Sequence, residues 1–279
     1  MGEGLEMAGS ERVAIVTGAS AGIGLAITER LVARGVRVVM VARTRATLEK
    51  EAARIGARAI PWPLDVGDLE AVAALPDAVV ARLGRLDVLV NNAGLHHRGP
   101  VGDRAPAELA EMVHVNLSAP IALCRAALPH LPAGGAIVNV ASLAGRAPVP
   151  GSATYGASKA GLRYFTASLA YERPDLRVSV VSPGPVDTGF FGDVSQVTNL
   201  TFSQPMVSAE VVAEAVERCL ERPSGEIAIP WISGFFTRLV DNFRGLGDAL
   251  RPLLERRGAA AKARYIARKS GALPPPPNT

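Results

Sequence analysis

Ser142, Tyr155 and Lys159 are the residues of this chain whose types and spacing best suit proton transfer. They lie in the stretch SLAGRAPVPGSATYGASK, in which the lysine follows the tyrosine by four residues. Residues four apart on a helix share one face, so the two side chains would project into the same space. The pKa of a phenol is about 10, and a neighbouring ammonium group lowers it by favouring the phenolate. The pair therefore predicts an acid–base site.

A glycine-rich stretch, TGASAGIG at 17–24, predicts a second site, for a phosphate group. It follows an apolar run and precedes a helical pattern, and its glycines stand at positions 18, 22 and 24. Glycines at this spacing allow a tight turn and a close backbone approach, and the following helix presents unpaired N–H groups to an anion. A strand–helix turn without a ligand is the alternative, and the context of the motif favours the phosphate site.

Short apolar runs and longer helical patterns alternate from Arg12 to Pro230 and would position both sites. The apolar runs are continuous, which is typical of strands covered by helices on both faces. Alternating strands and helices predict an α/β fold, a Rossmann-like, doubly wound parallel sheet of about seven strands with right-handed crossovers. We predict strands at 13–17, 36–42, within 57–66, 87–94, 135–142, 176–184 and 226–230, and helices at 23–35, 44–56, about 106–131 and 152–172.

Four regions divide the chain: a flexible N-terminus at 1–10, one α/β domain at 11–230, a helical extension of it at 231–270 and a disordered tail at 271–279. The extension is amphipathic because apolar residues recur three and four positions apart, with arginines between them. These residues are Leu239, Val240, Phe243, Leu246, Leu250, Leu253 and Leu254. Glycines predict breaks in the extension near 245–247 and at 258. Segment 190–208 has no clear period and is interpreted as a loop or lid.

The composition, with 48% hydrophobic residues and 28 glycines among 279 residues, is that of a soluble globular protein. Cys124 and Cys219 lie far apart and predict two separate reduced thiols. The N-terminus lacks the basic start and apolar run of a signal peptide, and Glu6 does not complete a myristoylation motif. No stretch approaches the roughly 20 apolar residues of a membrane span. We therefore expect a cytoplasmic protein.

The net charge of +4 is unevenly distributed. Residues 231–270 contain nine Lys or Arg against three Asp or Glu, so they carry +6 and the rest of the chain carries −2. A basic amphipathic extension could bind an anionic membrane surface, or pack over a cleft or another subunit, which is the commoner arrangement. No nucleic-acid-reading motif accompanies the basic residues, so nucleic acid is not an expected partner.

Six motifs together resemble the short-chain dehydrogenase/reductase family in order and spacing. They are TGASAGIG, NNAG at 91–94, Asn116, Ser142, the Tyr155–Lys159 pair and PGPVDT at 183–188. The resemblance covers residues 11–230. It implies a Rossmann-type domain that binds NAD or NADP and interconverts an alcohol and a ketone. It also implies dimers or tetramers that form through the long helices at 106–131 and 152–172.

The resemblance implies a catalytic role for each of four residues. Tyr155 would donate a proton to the carbonyl oxygen, or remove the hydroxyl proton in the reverse direction. Lys159 would lower the pKa of Tyr155 and hold the ribose hydroxyls of the cofactor. Ser142 would donate a hydrogen bond to the reacting oxygen. Asn116 would order a water molecule that links Lys159 to solvent.

The resemblance also implies a cofactor site. Arg43 follows Ala42 at the end of the second strand, where members that prefer NAD carry an Asp. A guanidinium binds a 2′-phosphate that a carboxylate would repel. Arg43 therefore favours NADP(H), and NAD is the alternative because Ala21 stands where many NADP-binding members have a second basic residue. The implied cofactor-binding residues are Gly18, Ser20, Ala21, Gly22, Ile23, Gly24, Arg43, Asp65, Val66, Asn92, Ala93, Gly94, Tyr155, Lys159, Pro183, Gly184, Val186 and Thr188.

Apolar residues of the lid segment predict a substrate with a large apolar body. They are Phe190, Phe191, Phe202 and Met206, and together with Ser142 and Tyr155 they form the predicted substrate site. The alternative is that the four residues only pack the lid against the domain. His96 and His97 lack nearby Cys or acidic ligands, so we predict no metal site and place them at the substrate rim or facing solvent.

These observations predict an NADP(H)-dependent oxidoreductase that interconverts a ketone and a secondary alcohol on a hydrophobic, lipid-like or steroid-like substrate. A 3-oxoacyl thioester reductase is the first alternative, and the long C-terminal extension counts against it. A catalytically silent NADP-binding scaffold at a membrane surface is the second. The complete set of Ser142, Tyr155 and Lys159 counts against that one.

Overall fold

The structure, a computed structural model, describes residues 11–222 and 225–270. Seven parallel strands form one sheet in the order β3-β2-β1-β4-β5-β6-β7, which confirms the predicted fold class. The strands are β1 (Val13–Thr17), β2 (Arg37–Ala42), β3 (Ala59–Pro63), β4 (Val88–Asn91), β5 (Ala136–Val140), β6 (Arg177–Pro183) and β7 (Glu226–Ile229). The regions predicted to be flexible at 1–10 and disordered at 271–279 lie outside the described residues.

Helices cover both faces of the sheet. They are α1 (Gly22–Ala33), α2 (Arg45–Ile55), α3 (Leu69–Leu83), α4 (Pro106–Val113), α5 (Ala119–Ala127), α6 (Ala153–Glu172), α7 (Asn199–Phe202), α8 (Ala209–Glu221), α9 (Trp231–Asn242) and α10 (Arg244–Lys269). Among the described residues, we find no helix with both the length and the apolar character that crossing a bilayer requires.

The strands separate two apolar cores, because successive side chains point to opposite faces. Ala14 and Val16 of β1 belong to the core under α1 and α8, whereas Val13 and Ile15 belong to the core under α3 and α5. All four are fully buried, which explains why the strand runs are apolar without alternation. Cys219 lies in the first core and Cys124 in the second, so the sheet keeps the two thiols apart.

The strand order reverses beside β1, and this reversal positions the candidate site. From β1 the chain proceeds outward to β2 and β3, then returns so that β4 pairs with the other side of β1. The carboxyl ends of β1 and β4 therefore border a crevice, which is where doubly wound sheets bind ligands. The glycine-rich turn follows β1 and the NNAG segment follows β4.

The helix predicted over 106–131 is instead two helices joined by a wider turn at His114–Ser118. Pro120 causes the break, since it lacks the N–H that would bond the carbonyl of Asn116 and its ring crowds that carbonyl. The N–H of Ala119 bonds the carbonyl of His114, five residues earlier. The second helix ends at Ala127, and Leu128 after it keeps helical angles. Pro129 cannot continue the helix, because it has no N–H to donate.

The C-terminal extension forms two helices, and its breaks differ from the prediction. The first break occurs at Phe243, just before the expected glycines, and α10 runs uninterrupted through Gly258. A Cβ atom at Gly258 would overlap the backbone carbonyl of Asn199. Gly258 therefore allows α10 to approach α7 closely, and it does not end the helix. The lid, residues 190–208, contains α7 and two short 3₁₀ turns.

Candidate active site

Ser142, Tyr155 and Lys159 line one cleft of about 420 Å³. Tyr155 and Lys159 lie one turn apart near the start of α6, and both are buried. Ser142 follows β5, and its Oγ accepts a hydrogen bond from the N–H of Ala144 at 3.1 Å. The carboxyl end of a strand and the first turns of a helix thus bring the three side chains together, as their spacing predicted.

Burial shifts the pKa of both titrating groups on α6. It raises the pKa of Tyr155, while a hydrogen bond with Ser142 and the charge of Arg98 act in the opposite direction. Burial lowers the pKa of Lys159 to about 8. The Nζ of Lys159 donates to the carbonyl of Val140 at 2.9 Å. Ser142 and Arg98 therefore act to lower the pKa of Tyr155, and the predicted effect of Lys159 on that pKa stays a prediction.

Asn116 ties the wide turn at 114–118 to the loop after β4. Its Oδ1 accepts from the N–H of Leu95 at 2.9 Å, and its Nδ2 donates to the carbonyl of Leu95 at 2.9 Å and to Ser158 Oγ at 3.2 Å. A Cβ atom at Gly94 would lie 3.0 Å from Asn116 Oδ1 and 3.4 Å from Lys159 Nζ. Asn116 and Lys159 therefore both lie next to Gly94, where any side chain would crowd them.

The glycine-rich turn after β1 is built for a close backbone approach. Gly18 has a φ of +66°, and a Cβ atom at Gly24 would overlap the carbonyl of Gly18. Asn92 Nδ2 donates to the carbonyl of Thr17 at 2.9 Å, and Thr17 Oγ1 accepts from the N–H groups of Asn92 and Ala93 at 3.0 Å each. These bonds fasten the NNAG segment to the turn.

The first helix begins directly at this turn, with Ser20 in the turn and Ala21 as the residue before α1. Gly22 and Ile23 form its first positions and line the cleft. The free N–H groups and dipole of a helix N-terminus favour an anion. The turn therefore fits a phosphate group of a dinucleotide.

The PGPVDT segment lies beside the same turn. Pro183 ends β6, and the N–H of Gly184 donates to the carbonyl of Ile229 at 2.7 Å. Val186 pairs with Val207 in an isolated parallel bridge. A Cβ atom at Gly22 would lie 3.3 Å from the side chain of Thr188. The segment predicted to hold the nicotinamide and the turn predicted to hold phosphate therefore border one space.

Arg43 and Asp65 follow the neighbouring strands β2 and β3 and are exposed. Asp65 Oδ1 accepts from the N–H of Gly67 at 2.9 Å, and Val66 packs against the second core. Arg45 pairs with Glu49 at 3.1 Å. Within the described residues, Arg43 has no such acidic partner, so its guanidinium is free to meet a phosphate.

The four predicted substrate-lining residues of the lid divide between the cleft and an apolar cluster behind it, and Phe191 belongs to both. Phe190 and Phe191 line the cleft, and the ring of Phe190 lies 6.2 Å from that of Tyr155. Phe202 is buried, and Met206 packs beside it, in an apolar cluster that includes Tyr265 of α10. The prediction for Phe202 and Met206 is corrected accordingly. They turn away from the cleft because α10 supplies an apolar surface on the other side of the lid.

Two further residues, His96 and Arg98, line the cleft. The sequence predicted His96 only at the substrate rim or facing solvent, and it gave Arg98 no role. The ring of His96 stacks on that of Tyr155, with centroids 4.1 Å apart and planes at 10°. Burial and the charge of Arg98 lower the pKa of His96 to about 3. The guanidinium of Arg98 lies over the rings of Phe190 and Phe191. The available signal was their position after β4, since loops at that edge of the sheet border the ligand crevice.

His97 differs from its neighbour, because its Nε2 lies 2.8 Å from Glu111 Oε2 outside the cleft. The predicted rim position is therefore occupied by His96, whose ring stacks directly on that of Tyr155.

Known proteins share both sequence and fold with this chain. Cis-4-hydroxycyclohexanecarboxylate dehydrogenase of Sinomonas cyclohexanicum is 38% identical over 220 residues, which are 74% of this chain and 88% of that protein. A short-chain dehydrogenase of Streptomyces avermitilis has a TM-score of 0.74 at 30% identity, and the match covers 88% of this chain and 99% of that one.

A short chain dehydrogenase of Burkholderia cenocepacia J2315, solved in complex with NADP, has a TM-score of 0.72 at 34% identity. The match covers 78% of this chain and 95% of that one. The short chain dehydrogenase family itself matches residues 12–199, which include the glycine-rich turn and the Ser142, Tyr155 and Lys159 set. This chain therefore belongs to the short-chain dehydrogenase family.

Proposed function

We propose that this protein is an NADP(H)-dependent oxidoreductase that interconverts a ketone and a secondary alcohol on a substrate with an apolar body. One observation carries the proposal: Ser142, Tyr155 and Lys159 line the same cleft as the glycine-rich turn. An acid–base group and a dinucleotide-binding turn are the two parts that hydride transfer to a carbonyl requires.

Tyr155 is the proposed acid in the reducing direction. Its raised pKa keeps the phenol protonated at neutral pH, so it can give its proton to the carbonyl oxygen of the substrate. Ser142 Oγ orients that oxygen by donating a hydrogen bond to it. The nicotinamide supplies the hydride when the cofactor is bound. Lys159 carries the positive charge beneath the site. Asn116 lies next to Gly94, as Lys159 does, and is the proposed holder of a water that links Lys159 to solvent.

Arg43 supports NADP as the preferred cofactor. It is exposed at the end of β2 and is free of acidic partners among the described residues, so it fits a 2′-phosphate. One of the similar solved structures holds NADP. NAD remains the alternative because Ala21 adds no second cation beside the turn.

The lining of the cleft supports a substrate with an apolar body. Phe190, Phe191 and Val149 line it together with the acid–base residues. The Sinomonas relative is named for a cyclic secondary alcohol, a compound class that such a lining would accept. A 3-oxoacyl thioester reductase is the alternative substrate class, and the helical extension over the lid counts against a long carrier-bound chain.

Two surfaces support proposals about partners. Tyr164 and Tyr171 of α6 are 78% and 90% exposed, which supports a homodimer or homotetramer formed through α6 and the α4–α5 pair. Trp231, Phe235 and Phe236 of α9 are also exposed, and the following helix α10 carries most of the basic residues of the extension. This arrangement supports a peripheral contact with an anionic membrane surface.

Replacement of the acid group tests the proposed reaction. We expect Tyr155→Phe to lower kcat for reduction of ketones by at least about a thousandfold, because the variant lacks the proposed proton donor to the carbonyl. NADPH fluorescence titration should give an unchanged Kd for the variant, and NADH should bind the wild-type protein more weakly than NADPH. Near-full activity of the variant would refute the mechanism. Wild-type binding of NADPH without turnover of any ketone would favour the silent scaffold.

A further inference from the structure

We propose that Arg98 forms an anion-binding subsite in the substrate part of the cleft, so that the preferred substrate carries a carboxylate on its apolar body. This inference rests on the proposed oxidoreductase function and specifies its substrate class as oxo acids and the corresponding hydroxy acids.

Arg98 lies among the residues that would contact the substrate. Its guanidinium carbon is 5.9 Å from the ring centre of Phe190 and 5.5 Å from that of Phe191. Both rings line the cleft, and Phe190 lies 6.2 Å from Tyr155. The charge of Arg98 also acts directly on the Tyr155 phenol. The phosphate-binding turn, by contrast, contacts Asn92 and Thr188. We therefore assign Arg98 to the substrate part of the cleft and not to the cofactor part.

Arg98 has no carboxylate partner among the described residues. Its neighbours along the chain are paired: His97 with Glu111 at 2.8 Å, and Arg104 with Glu108 at 3.6 Å. Arg98 lies over the two phenyl rings and interacts electrostatically with Tyr155 and His96. Arg98 is half-buried, and this burial lowers the pKa of its guanidinium. A partly buried, unpaired charge is costly to the fold, and an anionic ligand would offset that cost.

The charged side chains that line the cleft are all basic. Its charged side chains are Arg98 and Lys159, and within the described part of the chain no Asp or Glu lines it. Lys159 is held by the carbonyl of Val140. His96 is neutral at physiological pH, because its pKa is about 3. Arg98 is therefore the cation that faces the substrate with its donors unused, and a carboxylate matches its planar fork.

The two phenyl rings explain how one site accepts both an anion and an apolar body. They hold the flat guanidinium from one side by cation–π contact, and they line the cleft for the apolar part of the substrate. A carbonyl at Tyr155 and a carboxylate at Arg98 would then be bound at two ends of one apolar framework. Two fixed ends give a single orientation of the reacting carbon.

A matched pair of ketones tests the inference. The probes are 4-oxocyclohexanecarboxylate and its methyl ester, each reduced with NADPH by the wild-type protein and by Arg98→Met, Arg98→Lys and Arg218→Met. We expect the wild type to prefer the acid, and Arg98→Met to reduce the ratio of kcat/KM for acid over ester by roughly 10- to 100-fold. Arg98→Lys keeps the charge and should retain most of the preference. Arg218 is exposed on α8, so its replacement is the matched control and should leave the ratio unchanged.

The ratio isolates the proposed contact, because any effect of Arg98 on Tyr155 alters both ketones equally. An equal ratio in wild type and Arg98→Met would overturn the subsite. An unchanged ratio together with weaker NADPH binding would also overturn the subsite, because Arg98 would then bind the cofactor and not the substrate.

A binding measurement separates this inference from the proposed function. If the wild type reduces neither ketone, its NADPH complex is titrated by thermal shift with cyclohexanecarboxylate and with cyclohexanecarboxamide. Stabilisation by the carboxylate alone, lost in Arg98→Met, supports the subsite even if the proposed reaction fails. Equal or absent stabilisation by the two compounds overturns it.

Discussion

At the scale of single residues, burial determines how the acid–base groups on α6 titrate. It keeps the proton on the Tyr155 phenol, which suits an acid that must donate to a carbonyl. It weakens the hold of Lys159 on its proton, lowering the pKa to about 8. The same low-polarity surroundings therefore move the two pKa values apart, upward for Tyr155 and down to about 8 for Lys159, so that Lys159 releases its proton before Tyr155 does.

Lys159 should make the stability of the protein depend on pH in a defined direction. Its pKa is 10.5 in an unfolded chain and about 8 in the fold. Between these values the unfolded state binds more protons, so the free energy of unfolding rises with pH. We expect the free energy of unfolding of the wild type, relative to that of Lys159→Met, to increase by about 2 kcal/mol from pH ~8 to pH ~10.

Urea unfolding of both proteins at several pH values measures this shift. Other titrating groups are common to the two proteins and cancel in the difference. A difference that stays constant over this pH range would mean that Lys159 keeps its ordinary pKa in the fold.

At the scale of secondary structure, α10 is what holds the lid in place. Phe191, Phe202 and Tyr265 form an apolar cluster between the lid and α10. Tyr265 also donates a hydrogen bond to Asp187 Oδ1 at 2.9 Å, and Lys269 pairs with the same carboxylate at 3.1 Å. The extension is thus connected to the segment that leads from β6 into the lid. Its position is expected to affect how substrate enters.

Gly258→Ala should disrupt this contact even though alanine favours helices. The added Cβ would overlap the carbonyl of Asn199, so α10 must move away from α7. We expect a loss of about 1–3 kcal/mol in stability and a raised KM, measured by thermal unfolding and ketone reduction. Gly245→Ala is the matched control, because a Cβ there meets open space. It should raise stability by up to about 1 kcal/mol. Equal effects of the two substitutions would contradict the packing role of Gly258.

At the scale of the whole molecule, charge and exposed aromatic rings are concentrated in the extension. Residues 231–270 carry +6 against −2 elsewhere, and Trp231 and Phe235 are 75% and 60% exposed. α9 carries these exposed rings with only Arg238 and Asp241 as charged residues, so the net positive charge of the extension lies in α10, which also packs on the lid. A membrane contact would therefore need the rings of α9 and the basic residues of α10 together.

Vesicle flotation tests the membrane contact. We expect the full-length protein to float with anionic liposomes and to remain behind with neutral ones, with less binding at high salt. Removal of residues 232–279 should abolish flotation. Trp231→Ser combined with Phe235→Ser should weaken it while leaving α10 on the lid and NADPH reduction intact. Absence of flotation by the full-length protein would refute this contact.

The sequence by itself determined the sheet, the phosphate-binding turn and the grouping of Ser142, Tyr155 and Lys159. These features depend on local rules: apolar runs specify buried strands, glycines permit the turn at Gly18, and a spacing of four places two side chains on one helix face. Each rule acts over a few residues, so it can be read without knowing the neighbours.

The tertiary structure alone decided which side chains face the cleft. Arg98 and His96 lie in a loop without periodicity. Phe202 turns away because α10, which begins more than forty residues later in the chain, packs against it. Gly258 was predicted to end a helix and instead permits a close helix–helix contact. These outcomes depend on contacts between distant segments, and no local pattern encodes which surface a loop side chain will meet.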